Sequence, residues 1–138
     1  MRNTHCILLF LSLFVFVACD DKNENNNSPA LLTGYWVNPQ ITDSVTTYER
    51  SLKLKDNDYG MAFKSAGVFV ERKNSGFCGT PPVSYADYEG SWTENDSIIN
   101  ITVGYWGGLS NYRWKLVAVD DNALTVRLIS QEFHGMNE

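Results

Sequence analysis

The side chains able to do covalent or acid–base chemistry are few. The chain carries two histidines, His5 and His134, and three cysteines, Cys6, Cys19 and Cys78. His134 sits in the closing stretch FHGMNE, after the last apolar alternation, and is expected in a solvated tail. Cys78 lies in Gly76-Phe77-Cys78-Gly79, with glycine amides beside it but no basic residue nearer than Lys73 and no histidine placed to activate it. It reads as a structural or incidental thiol, able to cross-link two molecules under oxidation. Asp56-x-Asp58-x-Gly60 begins like a calcium loop, yet the distal bidentate glutamate is absent. Asp120-Asp121 falls where a hairpin turn wants aspartate for backbone reasons. Asp87 and Glu89 share one strand face about 7 Å apart, which leaves a carboxylate pair for glycoside hydrolysis as a minor alternative, since about half of all strand acids could be described so. The expectation is a protein that is not an enzyme, with no catalytic residue, no metal site and no cofactor.

Aromatic residues make the stronger candidate. Gly104-Tyr105-Trp106-Gly107-Gly108 places two large rings among glycines, where the hydrophobic alternation stops. Glycines let the backbone turn tightly and leave rings exposed. Such rings suit sugar faces, apolar ligands or a partner protein; alternatively one of them plugs the end of the fold. Phe77, in the loop that runs to Pro81-Pro82, is expected as a third contact beside Tyr105 and Trp106.

The elements that must hold these residues read as strands. After Leu31 the apolar pattern has period two. Candidate strands cover residues 34–37, 47–55, 59–64, 68–72, 85–93, 98–103, 112–119 and 124–128. Tyr48, Leu52 and Leu54 alternate with polar residues in the second; Ile99, Ile101 and Val103 share a face in the sixth. Tyr112, Trp114 and Leu116 do so in the seventh, and Leu124, Val126 and Leu128 in the eighth, leaving Arg127 on the outward parity. No ten-residue stretch reads as an amphipathic helix. Short turns favour antiparallel neighbours. The fold class is therefore all-β, with two architectures open: an eight-stranded antiparallel up-and-down barrel or a β-sandwich. The lack of long crossover connections favours the barrel. Bulky inward candidates, among them Met61, Phe63, Trp92 and Trp114, argue against a large cavity.

The amino terminus answers where the domain sits. Arg2 is followed by thirteen residues, 6–18, in which only Ser12 is polar. As a helix this run spans about 20 Å, short of the roughly 30 Å hydrocarbon core. Charge, apolar run and small residue is the order of a secretory signal. Val17-Ala18-Cys19 resembles the bacterial lipobox. That resemblance implies cleavage before Cys19 and lipid attachment, acyl chains such as palmitate included, to its thiol and new amino terminus, which is enough for stable anchoring. Asp20-Asp21 resembles the export tag of surface lipoproteins in some Gram-negative groups, and in enteric bacteria the inner-membrane retention signal. Residues 20–29, DDKNENNNSP, have no apolar side chain and are expected to form a disordered tether. The expected organisation is signal peptide 1–18, lipidated tether 19–30, β domain 31–130 and tail 131–138. Removing residues 1–18 takes away Arg2 and no acid, so the formal net charge moves from −5 to −6. No basic cluster remains, which disfavours nucleic acid and anionic lipid as partners. Only Cys78 would stay a free thiol, so no intramolecular disulfide is expected. Asp43-Ser44-Val45 and Asp96-Ser97-Ile98 resemble an O-glycosylation acceptor of some Gram-negative bacteria, which would place sugars on Ser44 and Ser97.

Gly34-Tyr35-Trp36 at the head of the first strand resembles the G-x-W signature of lipocalins, and Gly90-Ser91-Trp92 repeats it mid-chain. The pattern from about 31 to 129 is similar to the compact lipocalin-like domains of bacterial envelope lipoproteins. The resemblance implies that Gly34 and Trp36 shape the closed end of the barrel, with Arg127 from the last strand lying over the indole of Trp36. It implies a binding module for a small apolar or glycan-like ligand, carried on the outer membrane by a lipid anchor and either periplasmic or surface-exposed. The alternative is a non-enzymatic protein–protein interaction or inhibitor module using the same loops.

Overall fold

The computed structural model describes residues 28–76 and 80–135. Cys19, Phe77 and Cys78 lie outside them, as does most of the expected tether.

Eight antiparallel strands close into a barrel. They are β1 (Gly34–Thr42), β2 (Val45–Ser51), β3 (Gly60–Phe63), β4 (Val68–Asn74), β5 (Tyr85–Asn95), β6 (Ile98–Tyr105), β7 (Gly108–Val119) and β8 (Ala123–Gly135). The expected eight-stranded antiparallel barrel is the fold found. The order around it is β1-β2-β8-β7-β6-β5-β4-β3, closed by β3 on β1. From β3 to β8 the chain winds up and down between neighbours; β1 and β2 exchange places. The link from Ser51 to Gly60 therefore crosses outside β1. Leu54, carried by that link, is buried with Val37, Ala62 and Val70 in a small outer core.

This crossing corrects the second predicted strand. β2 stops at Ser51, whose hydroxyl donates to the Lys53 carbonyl at 2.7 Å and turns the chain away. Leu52 is 97% exposed rather than facing the interior. Both ends of the domain also differ from expectation. A short helix, α1 (Ser28–Leu32), begins inside the segment expected as tether, with Pro29 suited to a helix's first turn. Residues 131–135, expected as tail, continue β8 and pair with β7 as far as Gly108↔Gly135. Backbone pairing holds QEFHG in the sheet although its side chains carry no apolar alternation.

The main core fills one end. Leu32 enters the barrel from α1, and the Trp36 indole donates to the Leu32 carbonyl at 2.8 Å. Phe63 meets Phe69 and Trp92 edge to face at 5.0 and 5.1 Å between ring centroids. Trp92 donates to the Lys64 carbonyl at 3.0 Å. Buried aromatic bodies with satisfied N–H groups make a firm base. At the other end β4 continues to Asn74 beyond its last partner on the four-residue β3, and β8 continues to Gly135 beyond its last partner on β2, so this end is left open.

Candidate functional site: an aromatic chamber at the open end

The closed end decides how the expected structural residues act. Arg50 on β2, and not Arg127, covers Trp36, with its guanidinium carbon 4.2 Å from the indole centroid. The swapped strand order accounts for this correction. Arg50 is the cross-strand neighbour of Trp36, whereas Arg127 pairs with Lys115 on β7 and points out. Outward is the direction its strand parity gave. Gly34 has φ +146°, and a Cβ there would run into the Arg50 guanidinium, so glycine is required by the arginine as well as by the backbone.

Above the packed base the interior turns polar. Odd-numbered β4 residues face in, so Phe69 is followed inward by Glu71, which is 4% exposed. Tyr59 donates to Glu71 Oε1 at 2.9 Å and Tyr112 to Oε2 at 3.3 Å. Lys73 Nζ lies 2.6 Å from Oε2. The same ammonium stands 5.5 Å from the Tyr88 ring centroid and 5.7 Å from that of Tyr112. A buried carboxylate is tolerated only when paired and hydrogen-bonded, and Glu71 is both.

Around this group lies a cavity of about 270 Å³ lined by Thr46, Tyr48, Tyr59, Glu71, Trp114 and Gln131, among others. Its aromatic walls form a ladder. Tyr59 faces Tyr48 at 6.5 Å, Tyr48 stacks on Trp114 at 6.4 Å, and Trp114 stacks on Tyr112 at 5.7 Å. Burial pushes the Tyr48 hydroxyl up to about 12, with the Glu71 charge adding to it. Burial, then the same charge, raises Tyr59 and Tyr112 as well. These phenols therefore act as neutral donors, not as bases.

An outer vestibule of about 310 Å³ adjoins the chamber through Tyr112 and Gln131, which line both. Its other walls include Lys73, Tyr105, Trp106 and Phe133. Tyr105 packs edge to face on Trp106 at 5.6 Å and on Phe133 at 5.4 Å. The two expected aromatic contacts thus stand at the mouth, on the β6–β7 hairpin, with Trp106 47% exposed. They do not plug the interior. Phe77, the third, lies outside the described residues.

The remaining candidates find other employment. Asp87 is gripped by Arg72 through two hydrogen bonds of 2.6 and 2.8 Å, which hold its carboxyl below the usual range. Asp56 lies 3.6 Å from the same arginine. Asp120 Oδ1 accepts from the amides of Asn122 and Ala123, closing the β7–β8 turn, and this lowers its pKa. Ser44 is exposed and Ser97 half-buried, each in a hairpin turn. Among the described residues no three His, Cys, Asp or Glu side chains gather as a metal site. His134 is strand, opposite Leu109.

Glu71, Tyr59, Lys73 and Tyr112 were not singled out from the sequence as site residues. The signal was ambiguous because Val68, Phe69 and Val70 are apolar on both parities. The crossing link buries Val70 from outside while the interior takes Phe69. Comparison with protein-family models, curated proteins and solved structures returns no match to this chain.

Proposed function

We propose that the chain is a lipid-anchored lipoprotein of the cell envelope, held to the outer membrane through Cys19, whose lipocalin-like barrel binds a small apolar or glycan-like ligand at its open end. The observation that carries this reading is the chamber of about 270 Å³ walled by Tyr48, Tyr59, Tyr112 and Trp114, with a few convergent polar groups. Ligand sites are concave and mostly apolar, with polar atoms placed for orientation, and the volume fits a small molecule only. Tyr105 and Trp106 at the mouth add apolar and stacking surface. The anchor rests on the apolar run 6–18 ending in Ala18-Cys19. No catalytic role is assigned to any residue.

A second reading, a protein–protein or inhibitor module, is favoured by one feature. β8 pairs with β2 only over Ala123–Val126, and beyond that its rim carries exposed Leu128, Ile129 and Phe133. Native mass spectrometry of protein extracted gently from its membrane separates the two. A co-purified small molecule supports the first reading. An apo chain that captures one protein and no small molecule overturns it in favour of the second. Replacement of Cys19 by alanine should move the chain out of the membrane fraction.

A further inference from the structure

The junction of chamber and vestibule already holds a ligand-like group supplied by the chain itself. Lys73 is 16% exposed and reaches back from its strand to place its ammonium on Glu71 Oε2. The ammonium also lies 3.4 Å from the Tyr112 hydroxyl and within cation–π range of Tyr88 and Tyr112. A carboxylate, two aromatic rings and a phenol oxygen around one ammonium are the ingredients of an organic-cation site. Glu71 lines the inner chamber and Lys73 the vestibule, so the pair stands where the two meet. We propose that the Glu71–Tyr88–Tyr112 cluster binds the primary ammonium of a small organic amine with a flat apolar body, and that Lys73 is a tethered stand-in for this ligand. The inference rests on the reading of the open end as a ligand site.

Charge balance selects the amine. A ligand ammonium that takes the place of Lys73 leaves Glu71 with one cation, so the exchange does not strip a buried carboxylate of its partner. The displaced lysine is long and already borders the vestibule, where its ammonium meets water. An anionic ligand has no comparable exchange, because drawing Lys73 to itself leaves Glu71 buried and unpaired. A neutral ligand gains nothing from Glu71 beyond a hydrogen bond. The ladder Tyr48–Trp114–Tyr112 offers flat faces for the ligand's body. The chain's net charge of −5 adds a long-range attraction for cations.

The test uses the full chain in detergent and three probes of one shape: 2-phenylethylammonium, 2-phenylethanol and phenylacetate. Binding is read by calorimetry and tryptophan fluorescence. The native chain should prefer the ammonium to the alcohol by at least five-fold and bind phenylacetate least. Lys73→Met should tighten the ammonium at least ten-fold and leave the alcohol within two-fold; Glu71→Gln should abolish the preference. Lys73→Met leaves Glu71 without its cation and could unfold, so Lys73→Gln, which keeps a donor, is run beside it. Thermal melting of both variants should recover on adding ethylammonium and not on adding potassium at equal ionic strength. Equal binding of ammonium and alcohol overturns the amine assignment while leaving the ligand site standing. Unchanged ammonium affinity in both Lys73 variants overturns the stand-in role. No binding of any probe to any form overturns both the assignment and the ligand-site reading beneath it.

Discussion

The guanidinium of Arg50 lies over the indole of Trp36, its carbon 4.2 Å from the ring centroid, and ties the base of the barrel together. Its nitrogens donate to the carbonyls of Leu31, Thr33 and Asp120. One side chain thus joins α1, the start of β1 and the β7–β8 turn. Ring contact is worth about 0.5–2 kcal/mol and each charged hydrogen bond about 1.5–3 kcal/mol when its partner is desolvated. Arg50→Ala should cost roughly 2–4 kcal/mol, since part of this energy is regained from water. Arg127→Ala, at an outward position, should stay within about 0.5 kcal/mol. Urea denaturation of both variants checks the pair, and equal costs would refute the assignment of Arg50.

Gly34→Ala should be destabilising for two reasons at once. The backbone sits at φ +146°, and the new methyl would meet Arg50. In an Arg50→Ala background the steric part disappears and the backbone part stays. A double-mutant cycle should therefore show coupling of about 1 kcal/mol or more between the two positions. Strict additivity would mean that the glycine serves the backbone alone.

The crossing link makes a contrast between two leucines two residues apart. Leu54 is 8% exposed, packed on Val37, Ala62 and Val70, while Leu52 is 97% exposed. Leu54→Ala should cost about 2–4 kcal/mol and Leu52→Ala close to nothing. Reversed costs in a thermal melt would show that the link does not lie across β1.

High pH should unfold the domain through its buried phenols. Tyr48 is raised from 10.0 to about 12, and Tyr59 and Tyr112 are raised too. Above pH 10 the unfolded chain gives up these protons while the folded chain keeps them. Stability is therefore complete below pH 10 and falls as pH climbs toward 12, by about 1.4 kcal/mol per unit for each such group. Tyr48→Phe removes the share of that residue and should flatten the decline measured by urea midpoints at pH 9, 10 and 11. A decline of equal steepness in the variant would exclude Tyr48 as a contributor.

Much of this architecture was legible because a half-buried strand has to alternate. Ile99, Ile101 and Val103, and Tyr112, Trp114 and Leu116, announce their faces directly. Legibility failed wherever a second layer or backbone pairing overrode the alternation. Leu54 looks inward-facing in the sequence but belongs to a link that covers β1 from outside. Glu71 sits among apolar residues of both parities, so nothing local marks it as interior. The polar stretch Gln131 to Gly135 is strand because β7 offers a partner, a cause no property of its own side chains records. For the site, Tyr105 and Trp106 were marked by their flanking glycines, whereas the Glu71–Lys73 pair needed the closed barrel to bring it opposite Tyr112.

Replacing Tyr105 and Trp106 together by alanine separates mouth from core. Tyr105 packs on Trp106 and Phe133 at the rim, and neither ring belongs to the core cluster. The double variant should therefore stay folded, with a loss near 1 kcal/mol. Its ligand affinity should fall at least ten-fold, because two large apolar faces leave the vestibule. Trp114→Phe in the inner chamber should show a different pattern, since the wall there also supports the fold. It should lose both stability and binding, and the stacked contact with Tyr48 at 6.4 Å would weaken. If the rim variant keeps full affinity for a small ligand, recognition lies wholly in the inner chamber. If it instead loses capture of a protein partner while small-molecule binding persists, the hairpin serves a macromolecule. The two aromatics identified first from their glycine setting would then mark a surface distinct from the chamber beneath them.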